Sequence, residues 1–164
     1  MDVSALTQLT YFNAGNNFGI TSVNTYNLTN LNFLDVSFNA ITSLNVSTNT
    51  ALTQLYCQNN TISNIDVSSL TLLDRLNCDN NNLTALNVST NTELTYLSCA
   101  QNSIQNLDVS ALNSLIQLYC NDNQLLSLNA ANNNNAAFTN FDARDNAALT
   151  CIKVSDVTDM TNRF

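Results

Sequence analysis

LTQLYCQNNTI, residues 52–62, returns as LDRLNCDNNNL at 73–83, LTYLSCAQNSI at 94–104 and LIQLYCNDNQL at 115–125. The cysteines inside it, Cys57, Cys78, Cys99 and Cys120, fall 21 residues apart. A fixed period of this size means one supersecondary unit stacked on copies of itself, because a single unit cannot bury its own apolar face. The frame extends in both directions. Upstream stand LNFLDVSFNAI at 31–41 and, one residue longer, LTYFNAGNNFGI at 9–20; downstream stands FTNFDARDNAAL at 138–149, also one longer. Seven units follow LxxLxCxxNxI.

The other half of each unit is equally regular: LNVSTNTA from Leu44, IDVSSLTL from Ile65, LNVSTNTE from Leu86 and LDVSALNS from Leu107. In the first arc Leu55 and Cys57 alternate with Tyr56 and Gln58, the two-residue period of a half-buried strand. Strands from successive coils should pair in parallel at roughly 4.8 Å, so that seven coils span on the order of 30 Å. The return arc has about ten residues, which a helix of three turns at ~3.6 residues per turn would consume entirely. Alternation at Leu44 and Val46, and at Ile65 and Val67, predicts a short extended segment there instead. The expected fold is a β-rich, weakly curved solenoid.

The pattern LxxLxCxxNxI resembles the leucine-rich repeat. Its nesting of two similar arcs is similar to the 21-residue bacterial subclass called IRREKO-type repeats, and the likeness covers nearly the whole chain. The resemblance implies a single leucine-rich repeat domain over 1–164, with a parallel sheet on the concave face and short extended segments on the convex side. Its repeats run approximately 1–22, 23–43, 44–64, 65–85, 86–106, 107–127 and 128–151, and 152–164 is a terminal segment or cap. Lys153, Asp156, Asp159 and Arg163 would cover the end of the array. DVSALTQL after Met1 already fits the repeat and is not expected to be a signal peptide. An array that starts mid-pattern is expected to belong to a longer, secreted protein, and the tail LTCIKVSDVTDMTNRF resembles how arrays end in secreted bacterial repeat proteins. An extracellular or cell-surface location in a bacterium follows from the resemblance alone.

Composition removes several function classes. Twelve acids against four bases give a net charge of −8, and no basic stripe exists. Nucleic acid and anionic membrane surfaces are therefore poor partners. No apolar run of about 18 residues is present to span a bilayer. The chain has no histidine, which removes the commonest general base and any Ser–His or Cys–His pair. The acids are scattered at outward positions, and Asp74, Asp79 and Asp122, the nearest approach to a cluster, read as a solvated face. No enzyme activity and no cofactor are expected.

Four of the five cysteines occupy one inward slot, where other units place Ala14, Val36 and Ala143. That slot asks for a small apolar side chain, which a free cysteine is. Buried free thiols are expected ahead of disulfides between coils, and no metal site is expected because a linear column does not offer zinc a tetrahedron. Cys151 is assigned to the core of the last coil. Asn39, Asn60, Asn81, Asn102, Asn123 and Asn146 end the strand of each coil, where asparagine accepts tight-turn geometry and satisfies backbone groups. They read as a structural ladder. Asn132 to Asn135 read as a bulged loop. Asp2, Asn24, Asn45, Asp66, Asn87, Asp108 and Asn129 form an outward column, a solvated edge by default and a loose calcium ridge as the alternative. Asn-x-Ser/Thr matches at Asn45, Asn59 and Asn87 are by-products of the repeat, not glycosylation sites.

In leucine-rich repeats partners bind the outward strand residues of the concave face. Here those positions hold Tyr11 and Asn13, Phe33 and Asp35, Gln54 and Tyr56, Arg75 and Asn77, Tyr96 and Ser98, Gln117 and Tyr119, and Asn140 and Asp142. The candidate binding residues are Tyr11, Phe33, Tyr56, Arg75, Tyr96, Tyr119 and Asp142. Tyrosine is favoured at recognition hot spots, while the competing reading is cross-strand aromatic pairing that only stabilises the sheet. Rings mixed with neutral amides suit a protein or carbohydrate ligand better than a charged one. The expected function is a non-enzymatic recognition module of a bacterial surface or secreted protein. The alternatives are a spacer or end-to-end self-associating solenoid and, last, an ice-binding face on Thr48, Thr50, Thr71, Thr90 and Thr92, a column broken by Ala111 and Asn113.

Overall fold

The computed structural model describes residues 1–155. The expected cap residues Asp156, Asp159 and Arg163 lie outside the described residues. Among those described, the strands are β1 (Tyr11–Asn13), β2 (Phe33–Asp35), β3 (Gln54–Tyr56), β4 (Arg75–Asn77), β5 (Tyr96–Ser98), β6 (Asn106–Asp108), β7 (Gln117–Tyr119), β8 (Ser127–Asn129), β9 (Asn140–Asp142) and β10 (Ile152–Lys153). β1, β2, β3, β4, β5, β7 and β9 form one seven-stranded parallel sheet in that order. Register follows the repeat: Leu34 faces Leu55, Leu55 faces Leu76, and Leu76 faces Leu97. β6, β8 and β10 pair in parallel across the return arc. The solenoid expected from the sequence is the architecture observed.

Each coil turns without a helix. In the return arc the Asn49 N–H donates to the Val46 carbonyl and the Leu52 N–H to the Asn49 carbonyl, both at 3.0 Å. The same pair of consecutive turns recurs at Val67–Leu70–Leu73, Val88–Asn91–Leu94 and Val109–Leu112–Leu115. Two tight turns bring the chain round in fewer residues than a helix needs, so the period stays at 21. The one helical element among the described residues is a 3₁₀ turn at Asn135–Ala137. It lies where a bulged loop was expected, and it is anchored: buried Asn135 donates to the Ala130 carbonyl at 2.6 Å, and buried Asn132 to that of Leu112 at 3.0 Å.

The core is a stack of columns. Leu34, Leu55, Leu76, Leu97 and Leu118 fill the strand centres, and Ile41, Ile62, Leu83, Ile104 and Leu125 the far side; all are buried. Complete burial of each such side chain contributes about 1.5–3 kcal/mol. The cysteine column continues the line of Ala14 and Val36. Cys57, Cys78, Cys99 and Cys120 are buried free thiols. Burial pushes Cys57 and Cys120 up to about 12 and raises Cys78 and Cys99 well above the ordinary thiol range. Cys151 departs from its assignment to the core: it is exposed. Ile152 takes the inward position of β10, so strand alternation turns Cys151 and Lys153 outward.

Candidate binding face

The seven-stranded sheet sets two outward columns. Tyr11, Phe33, Gln54, Arg75, Tyr96, Gln117 and Asn140 are register partners in one; Asn13, Asp35, Tyr56, Asn77, Ser98, Tyr119 and Asp142 are partners in the other. Strand periodicity alone puts these side chains on one face, since each strand's central residue points into the core. Along the columns the aromatic rings form two groups. Tyr11 stacks on Phe33 with centroids 4.4 Å apart and planes 8° from parallel, and Phe33 meets Tyr56 at 5.6 Å. Further along, the Arg75 guanidinium lies 4.6 Å from the centre of the Tyr96 ring, and Tyr96 meets Tyr119 at 5.8 Å. Six of the seven residues singled out in the sequence fall into these two groups. The seventh, Asp142, is engaged elsewhere: Arg144 grips its carboxylate at 2.7 and 2.9 Å and holds it below the usual carboxylate range.

Asp79 corrects the expectation of a solvated acid. Both its oxygens accept the Ser98 hydroxyl at 2.7 Å, and one also accepts the Ala100 N–H at 2.7 Å. Burial raises its pKa, and those hydrogen bonds oppose the rise. Half-buried, Asp79 thus joins two coils beside Tyr96.

At the end of each strand the ladder asparagines bind across the coils. Asn81 donates its amide to the carbonyls of Cys57, Cys78 and Asp79 at 3.0–3.1 Å, and its Oδ1 accepts the Ile62 N–H at 2.9 Å. Asn39, Asn60, Asn102, Asn123 and Asn146 repeat the arrangement with their own coils. Each ladder residue follows one held at positive φ: Phe38, Asn59, Asn80, Gln101, Asp122 and Asp145, at 49–57°.

Solved structures share this geometry. The functional domain of InlJ from Listeria monocytogenes, which includes a cysteine ladder, is 36% identical with a TM-score of 0.90, over 97% of this chain and 34% of that chain. An internalin, InlF, from the same organism is 22% identical with a TM-score of 0.68, over 97% of this chain and 47% of that one. A leucine-rich repeat protein of Leptospira interrogans is 18% identical with a TM-score of 0.66, over 98% and 47%. The chain is a leucine-rich repeat solenoid. It spans about a third of the InlJ chain and just under half of the other two. No protein-family model matches it, and neither does any curated protein sequence.

The repeat solenoid also holds features that sequence reasoning missed. In the return arc Asn49 and Asn91 are fully buried, in the slot that Leu28, Leu70 and Leu112 fill in alternate coils. Asn49 donates to the Thr25 and Leu28 carbonyls, and Asn91 to those of Val67 and Leu70. The signal was the alternation of Asn and Leu with a two-coil period. On the outer edge, each member of the Asp/Asn column accepts the N–H of the residue two positions on, at 2.9–3.3 Å. That column makes turns. Phe18 and Phe38 were missed as well. Both are exposed, at 74% and 39%, and both have positive φ, 56° and 53°.

Proposed function

We propose that this leucine-rich repeat solenoid is a non-enzymatic recognition module that binds a protein or carbohydrate through the seven-stranded face, as part of a bacterial secreted or cell-surface protein. The observation that carries this reading is the placement of aromatic rings on outward strand positions. A sheet whose core is already closed by its inward columns has no packing need for Tyr11, Phe33, Tyr56, Tyr96 and Tyr119 on its solvent side. Amides at Gln54, Asn77, Gln117 and Asn140 stand among them and supply donors and acceptors. The test is a protein and glycan panel probed with the wild type and with Tyr56, Tyr96 and Tyr119 changed to Ala. A panel ligand should lose binding while circular dichroism stays unchanged; an unaltered affinity would sink the assignment of the face.

A second reading, end-to-end self-association, is favoured by a different observation. At the β9 end a cleft of about 640 Å³ is lined largely by apolar groups of Tyr119, Phe141, Ala143, Ile152 and Val154. Concentration-dependent light scattering separates a stacking solenoid from a monomeric binder.

A further inference from the structure

The aromatic groups of the face differ in one respect: one already holds a cation and the other does not. Arg75 sits over Tyr96, whereas the stack of Tyr11 on Phe33, with Tyr56 beside it, has none among the described residues. Residues 1–74 contain no lysine and no arginine at all. Tyr11 is 57% exposed. At the turn closing the same strands stand Phe18 and Phe38, whose backbones are joined by a 3.0 Å hydrogen bond from the Phe18 N–H to the Phe38 carbonyl. In the slot of Phe38 later coils carry Asn59, Asn80, Gln101, Asp122 and Asp145, which fit the left-handed backbone better than a bulky ring does. An exposed phenylalanine at positive φ works against stability, and such strain points to a use for the ring.

We propose that the aromatic face of coils one to three docks a protein segment presenting arginine or lysine, which seats its cation on the outer face of Tyr11, backed by Phe33 and Tyr56, and lays further apolar groups against Phe18 and Phe38. The inference rests on the recognition reading above and names its partner class. Charge supports it from two sides. Ring faces are negative poles of a quadrupole and attract a guanidinium within about 6 Å. The chain's net charge of −8 draws cationic partners toward it and repels anionic ones. The Arg75–Tyr96 contact shows the same recognition within one chain, on the same column. The proposed cationic partner differs from the uncharged ligand that the sequence reading preferred.

The test uses capped hexa-arginine as the probe, with neutral cellohexaose as the comparison, at physiological salt. Wild type should bind the peptide, and Tyr11→Leu with Phe33→Leu should weaken it by roughly tenfold or more, because an aliphatic side chain keeps area but loses the ring quadrupole. Asp66→Asn with Asp108→Asn should weaken it by no more than about twofold. That pair removes two charges from the turn column, where Asn45 and Asn87 already make the same turn. Phe38→Asn should weaken the peptide while raising the unfolding midpoint by about 2 °C, so its loss of binding cannot be ascribed to misfolding. Failure of wild type to bind the peptide, equal losses in the ring and charge variants, or ring-dependent binding of cellohexaose alone would each overturn the proposal. If the peptide fails while the Tyr56, Tyr96 and Tyr119 variants still lose a panel ligand, only the cationic partner is wrong.

Discussion

Val67→Thr should stabilise this protein, although placing a hydroxyl in a leucine-rich core ordinarily does the reverse. Asn49 and Asn91 fill equivalent slots, and both donate to carbonyls of the preceding coil. Asn49 Oδ1 also accepts the Thr25 hydroxyl at 2.8 Å. The residue in Thr25's slot one doublet later is Val67, and Asn91 Oδ1 is buried with no partner among the described residues. Leaving a buried acceptor unpaired costs about 1–3 kcal/mol. Valine and threonine differ by one methyl for one hydroxyl, and burying a hydroxyl that finds its partner costs less than the acceptor it satisfies returns. The net expectation is a gain of about 1 kcal/mol for Val67→Thr, with a loss of about 1–2 kcal/mol for Thr25→Val. At this chain length about 1 kcal/mol moves the midpoint by roughly 2–4 °C. Urea unfolding followed by tyrosine fluorescence measures both variants against wild type. If both lose stability to the same extent, Asn91 Oδ1 is not an unmet acceptor and the matching of the two slots is wrong.

Asn81→Ala should cost about 3 kcal/mol, because it strands the buried Ile62 N–H and removes three amide contacts; denaturant titration reads it, and a change below about 1 kcal/mol would contradict the ladder's bridging role. A thiol reagent applied to native protein should label Cys151 rapidly and reach Cys57, Cys78, Cys99 and Cys120 only on unfolding; more than one fast thiol would contradict their burial. Because burial lifts the folded pKa of Cys57 and Cys120 to about 12, the stability linked to their neutral form is complete below the ordinary thiol value of 9.0 and is lost as pH climbs from there toward 12. Cys57→Val with Cys120→Val, using the residue already present at Val36, should flatten that alkaline loss in thermal melts. Asp79 has a raised pKa in the fold, so its linked stability is complete under acid conditions and declines as pH rises through the raised value; Asp79→Asn should remove that slope from pH-dependent melts.

The fold was legible because it is written many times over. A core slot filled by Leu55, Leu76, Leu97 and Leu118 in turn is read once and checked by every copy, and the cysteine column tied strand register to residue number. Both outward columns followed from that phase. What escaped were positions where copies disagree for a local reason. Cys151 was placed inside by its type, but strand alternation beginning at Ile152 decided otherwise. Asp79 looked like a surface acid because Gln58, in the same slot one coil earlier, is polar too; its hydrogen bonds go to Ser98 and Ala100 one coil later. The second asparagine ladder was hidden by a period of two coils, since a polar residue alternating with leucine reads as an exposed position until its burial is known.

The same redundancy explains why the ligand is less legible than the fold. Inward slots are selected by the neighbours above and below, so one chemistry recurs along most columns, the Asn/Leu slot of the return arc being the exception. Outward slots are less constrained: Gln54, Arg75 and Tyr96 are register partners and differ in size and charge. A run of like residues on a less constrained column therefore carries information that the fold does not supply. Tyr11 and Phe33 are such a run, and their stacking adds about 0.5–1.5 kcal/mol beyond the area the rings bury. Phe38 sharpens the point, because asparagine in its slot would relieve backbone strain that the phenylalanine maintains. Where stability alone would choose another residue, the proposed partner supplies a reason for the ring.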